Sequence, residues 1–193
     1  MARDTGALGH LQFALGFVAR NHILAGELTE AAHLLDEADA IAEATGNARF
    51  VNAPMVLAAW RGDEAEASSL IDATSEESAR RRWTSNNYAK AVLCNGLGRH
   101  DAALEAAWEA MQPDPIGYGT QLVPELAEAA ARTGDRTRLE FAGDWLSERS
   151  AAISTPWLNG IDARVRALLS EGDAADALYL ESIANLSGTR MAM

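Results

Sequence analysis

Five times along the chain a glycine is followed by a polar stretch and then by a small or apolar residue. The segments are Gly26-Glu27-Leu28-Thr29-Glu30-Ala31, Gly62-Asp63-Glu64-Ala65-Glu66-Ala67, Gly98-Arg99-His100-Asp101-Ala102-Ala103, Gly134-Asp135-Arg136-Thr137-Arg138-Leu139 and Gly172-Asp173-Ala174-Ala175-Asp176-Ala177. Successive glycines lie 36, 36, 36 and 38 positions apart. Glycine takes a positive φ at little steric cost and so ends one helix, while the polar residues after it cap the next. Small residues recur seven positions apart in the same units, as Ala31 and Ala38, Ala103 and Ala110, and Ala177 and Ala184; Thr74 and Leu146 replace the second alanine elsewhere. Seven residues are about two helical turns, so each pair lies on one face, where small side chains let helices approach closely.

The pattern predicts ten helices, at 9–25, 28–45, 48–61, 64–73, 78–96, 101–112, 118–132, 136–150, 157–171 and 174–187. Pro113, Pro115, Gly117 and Gly119 mark the clearest break, and Ser154-Thr155-Pro156 the next. Neither is long enough for an interdomain linker, so residues 1–193 read as one continuous domain. Pro115 falls five residues after Ala110, where a tetratricopeptide helix pair stops. The expected fold is all-α: a tetratricopeptide-like right-handed α-solenoid of about five helix pairs, its unit lengthened by about two residues from 34.

Composition narrows the function. The chain has 193 residues, 48% of them hydrophobic, with 16 Lys and Arg against 28 Asp and Glu, a formal net charge of -12. An acidic chain repels the phosphate backbone, which argues against direct nucleic-acid binding. A single cysteine, Cys94, excludes an internal disulfide and any multi-cysteine zinc site, and suits a reducing cytoplasm. The short apolar run from Leu11 to Val18 matches neither a signal peptide nor a membrane span.

Catalytic signatures are missing. Lys90, the sole lysine, stands between Ala89 and Ala91, so there is no phosphate-binding loop. Gly96-Leu97-Gly98 ends a helical stretch instead of following a strand, and the repeat turn accounts for it. His10, His22, His33 and His100 lack metal-ligand spacing, and no G-x-S-x-G elbow occurs. The reading is therefore a non-enzyme without cofactor or metal. Asp36-Glu37 and Asp39 form a solvated helix face, and Arg80-Arg81-Arg82 a solvated patch or a partner for Glu76 and Glu77. What remains is a binding surface on the first helix of each pair. Its inward positions, counted back from each turn glycine, are Arg20, Asn52, Tyr88, Asn95, Gln121, Glu128, Arg132, Asn159, Asp162 and Arg166. They form a wetted groove for a peptide or small polar ligand, the alternative being an ordinary exposed helix face. Trp60, Trp83, Trp108, Trp145 and Trp157 read as packing between layers.

Three stretches carry a family resemblance: Leu34-Leu35-Asp36-Glu37-Ala38-Asp39-Ala40-Ile41-Ala42-Glu43-Ala44-Thr45-Gly46, Ala91-Val92-Leu93-Cys94-Asn95-Gly96-Leu97-Gly98-Arg99, and above all the run from Ala163 to Tyr179. They resemble the central region of large LuxR-family, MalT-like transcriptional regulators of actinobacterial type. The resemblance implies an array that receives a protein or small-molecule inducer and lies between an ATPase and a helix-turn-helix domain, neither of which this chain contains. None of the nucleotide-binding or DNA-contacting residues of that family can be carried onto this sequence. The alternative is an autonomous tetratricopeptide adaptor that binds proteins. The last helix carries Leu178, Leu180, Ile183, Ala184 and Leu186, more than one apolar stripe, which points to its cover by a second copy, as a homodimer, or by the N-terminal segment Met1 to Leu11, the alternative being that Tyr179, Glu181 and Asn185 shield it in a monomer.

Overall fold

The computed structural model describes residues 8–73, 76–112 and 117–191, with side chains omitted for 76–83. The expected break at Pro113 and Pro115, the position of Thr74, and the side chains of Trp83 and of the Arg80-Arg81-Arg82 run lie outside the described residues. Ten helices and no strand are found among the described residues: α1 Leu8–Leu24, α2 Leu28–Thr45, α3 Asn52–Arg61, α4 Glu64–Asp72, α5 Glu76–Gly96, α6 His100–Met111, α7 Gly119–Thr133, α8 Arg136–Ala152, α9 Pro156–Leu168 and α10 Gly172–Leu186. The all-α expectation holds, and the boundaries agree to within a few residues. α3 begins at Asn52 and not at 48. Pro54 has no N–H to donate, and a first-turn position is where a helix tolerates that.

The turn chemistry follows the local residues. Gly62 and Gly134 end α3 and α7 in the left-handed conformation, with φ of 71° and 76°. The aspartate after each caps the next helix: Asp63 accepts from the Glu66 N–H and Asp135 from the Arg138 N–H, both at 3.0 Å. α9 starts at Pro156, and the Thr155 hydroxyl accepts from the Leu158 N–H at 3.2 Å.

Two compact units make up the chain, one running through Arg82 and the other from Trp83 to Met191. In the first, α1 packs on α2 and α3, α2 on α3, and α3 on α4. Its core includes Leu15, Ala19, Ile23, Ala31, Leu35, Ala38, Met55 and Val56. In the second, α6 packs on α7, α7 on α8 and α9, α8 on α9, and α9 on α10. Leu122, Val123, Leu126, Leu146, Ile161 and Val165 fill its centre. In both units, then, helices adjacent in the chain pack together, and α1 meets α3 as α7 meets α9.

The even-numbered helices start at Leu28, Glu64, His100, Arg136 and Gly172, each 36 residues after the last. The even-numbered helices are therefore evenly spaced, which corrects the 38-residue last step implied by the glycine spacing. Gly26, Gly62, Gly98 and Gly134 stand two residues before their helices, whereas Gly172 is itself the first residue of α10. Ser170 holds the equivalent position, its hydroxyl bonded to the Arg166 carbonyl at 2.9 Å. The seam residues of the last pair shift by two as a result. Ala31, Ala38, Ala103 and Ala110 are buried as expected, but Ala177 and Ala184 are exposed. Ser182 takes the seam position instead, buried with its hydroxyl donating to the Gly160 carbonyl at 2.7 Å. A second column, unread in the sequence and alanine at four of its five positions, runs through the odd-numbered helices at the same period: Ala19, Met55, Ala91, Ala127 and Ala163, all buried.

The corrected register makes a stability prediction. α9 and α10 approach so closely that a Cβ on Gly160 would lie 2.6 Å from Leu186 Cγ. Ser182→Leu should overpack this seam and cost about 1–3 kcal/mol, while Ala184→Leu, pointing outward, should change stability by less than about 0.5 kcal/mol. Urea denaturation of the two variants checks this; equal losses, or the reverse order, refute the register.

Candidate functional site

The ten groove positions separate when seen in three dimensions. Arg20 on α1 and Asn52 at the start of α3 are half-buried residues of the first unit. In the second unit Tyr88 is only 1% exposed. Its ring meets Tyr118 edge-on, with centroids 6.0 Å apart, so it is a core residue and not a groove contact. Gln121 is half-buried in the first turn of α7, and Asn159 bonds to the Ser154 hydroxyl at 3.1 Å. Asp162 is buried toward α8, accepting from the Ser147 hydroxyl at 2.8 Å, and exposed Arg166 lies 3.6 Å from it. Counting back from Gly172 placed these α9 positions two residues out; the uniform period puts Arg164 level with Glu128 of α7. Asp162, against Ser147 of α8, and Tyr88, against the Tyr118 ring, are both buried away from the groove face.

The structure brings Asn95, Glu128 and Arg132 together, and adds Glu125, Arg164 and His100. The Asn95 amide nitrogen donates to the Glu125 carboxylate at 2.8 Å and to the Glu125 carbonyl at 3.0 Å, tying α5 to α7. Its amide oxygen faces His100 Nδ1 at 3.3 Å. One turn further along α7, Glu128 accepts from Arg132 at 2.8 Å and from Arg164 of α9 at 2.7 Å. Three odd-numbered helices are thus joined by a polar ladder whose members are partly exposed. The pairs are half-solvated, so each contributes little to stability; their effect is to hold a donor and acceptor pattern in place. Glu128 and Arg164, opposite charges one repeat apart, are the sequence signal that could have found the ladder.

Glu125 is the perturbed acid of this ladder. Burial raises its pKa above the usual carboxylate range, against lowering by the Asn95 hydrogen bond and by Arg164, with Glu128 adding to the rise. A raised pKa means that the folded chain holds this proton more tightly than the unfolded chain. The stabilisation is therefore full at acid pH and is lost as pH climbs from the ordinary carboxylate pKa through the raised one. Glu125→Gln should flatten that part of the curve of urea midpoint against pH. A variant whose pH profile superimposes on the wild type would refute the assignment.

Trp108 and Trp145 of the second unit pack against neighbouring side chains. Trp108 meets Phe141 edge-on at 5.1 Å, with the Arg138 guanidinium 5.1 Å from its ring, and Arg149 lies 3.6 Å from the Trp145 ring. No three metal-ligating side chains converge among the described residues, and no helix there is long and apolar enough to cross a membrane. The fold and ladder define an all-helical protein with a polar ladder across α5, α7 and α9. No protein-family model matches the chain, and neither the curated proteins nor the solved structures contain a match to it.

Proposed function

We propose that this chain is a non-catalytic, cytoplasmic, tetratricopeptide-like right-handed α-solenoid that binds a partner protein or small-molecule inducer, without contacting nucleic acid directly, as the signal-receiving array of a LuxR-family transcriptional regulator. The uniform 36-residue repeat supports the solenoid. The binding reading is carried by the Glu128–Arg164 pair, which crosses between two odd-numbered helices one repeat apart while remaining partly open to solvent. Beside it stand Arg132, Asn95 and Glu125, so the face offers both cationic donors and carboxylate acceptors to a polar peptide or a small zwitterion. The regulator assignment rests on the resemblance of the Ala163 to Tyr179 run.

Binders selected from a displayed peptide library and from a panel of polar metabolites, measured by titration calorimetry, test the site. Arg164→Glu should weaken a true ligand at least tenfold, and Glu128→Arg combined with Arg164→Glu should recover part of the loss. Binders indifferent to all of these changes would place the function elsewhere. Sequencing the gene past codon 193 tests the regulator reading, which expects a helix-turn-helix coding region; a stop codon there favours the autonomous adaptor.

A further inference from the structure

The first and last helices each expose a surface that other helices of the second unit bury: α7 and α9 for the first, α6 for the last. On α1, Ala14, Val18 and Asn21 are exposed, Val18 by 44%, and Phe17 beside them by 51%. Whole repeats along, these positions are Leu122, Leu126 and Ala129 of α7 and Leu158, Asp162 and Val165 of α9, all buried. In α9 this is the stripe that faces the preceding even-numbered helix: Asp162 bonds to Ser147 of α8, and Gly143 of α8 lies against Val165 and Leu169. On α10 the exposed apolar side chains include Tyr179 and Ile183, the latter by 63%. They stand at the positions of Ala107 and Met111 in α6, of which Met111 is 2% exposed. That stripe of an even-numbered helix meets the following odd-numbered one.

We propose that these two faces join: α10 of one copy takes α1 of a second copy as the next odd-numbered helix, giving a head-to-tail association of identical chains. The faces match in character. Both helices are apolar on their outer as well as inner sides, the mark of a helix meant for burial. They are also complementary in charge, since α1 carries Arg20 and no acidic residue, whereas α10 carries Asp173, Asp176 and Glu181 and no basic one. Transposed by whole repeats, the Ser147–Asp162 contact becomes Ile183 against Val18, and Gly143 beside Val165 becomes Tyr179 beside Asn21. Such a contact is heterologous: different surfaces meet, so each copy keeps one free end of each kind.

Light scattering and cysteine cross-linking on the full chain test this. The wild type should gain mass with concentration. Val18→Asp and Ile183→Asp should each be monomeric alone, yet their equimolar mixture should form a dimer, because one supplies an intact α10 and the other an intact α1. Under mild oxidation, Val18→Cys mixed with Ile183→Cys should give the mixed disulfide in excess over either homodimer, with native Cys94 buried and out of reach. A monomeric wild type, a Val18→Asp variant that still self-associates through α10, a dominant disulfide homodimer of either cysteine variant, or a mixture that stays monomeric would each overturn the proposal. Far-ultraviolet circular dichroism of each variant separates loss of contact from loss of fold.

Discussion

Tyr88→Ala is expected to lower the unfolding free energy by about 3–5 kcal/mol, the range for truncating a buried aromatic. The side chain is almost wholly enclosed, and its ring makes an edge-to-face contact with Tyr118 at an interplanar angle of 64°. Such pairs add about 0.5–1.5 kcal/mol beyond area burial. The loss should appear as a lower urea midpoint, and Tyr88→Phe, which keeps the ring, should retain most of the stability. This result distinguishes a core residue from a ligand contact. A groove tyrosine would leave the midpoint unchanged when truncated and affect binding alone.

Leu126→Ala should cost about 2–5 kcal/mol. α7 packs on α6, α8 and α9, and Leu126 on it is completely buried. A helix held by three neighbours relaxes only partly around the vacated volume, so a residual cavity adds to the lost transfer energy. Pro124 gives α7 a further reason to depend on its surroundings. It stands past the first turn, where its missing N–H removes a backbone hydrogen bond, and tertiary contacts must hold the helix there. The slope of unfolding free energy against urea should stay near that of the wild type while the midpoint falls. An unchanged midpoint would mean that the packing around α7 is looser than the structure shows.

The ladder was partly legible. Asn95, Glu128 and Arg132 were reached by counting back from glycines that sit two residues ahead of their helices. The same count failed in α9, because Gly172 lies inside the following helix and moved the frame by two, from Gly160 and Arg164 to Asp162 and Arg166. Glu125 is not legible in the sequence, because it lies among buried residues of α7, where a carboxylate reads as an isolated exception, and only the fold brings Asn95 to it. The α10 surface was anticipated from its scattered leucines, but its counterpart on α1 was not. An apolar first helix reads as core, and only the arrangement of its neighbours shows which side they leave uncovered.

The sequence alone determined the ten helices, their turns and the near-constant period. Those depend on interactions within a few residues: a glycine at positive φ, an aspartate capping the third N–H after it, and small residues two turns apart. Only the tertiary structure decided which residues at equivalent depth face a neighbour and which face solvent. Tyr88 and Asp162 are buried, Glu128 and Arg164 meet across two helices, and Val18 and Ile183 remain open. Burial is a property of the helix that lies opposite, and a side chain carries no mark in sequence of whether that helix is there.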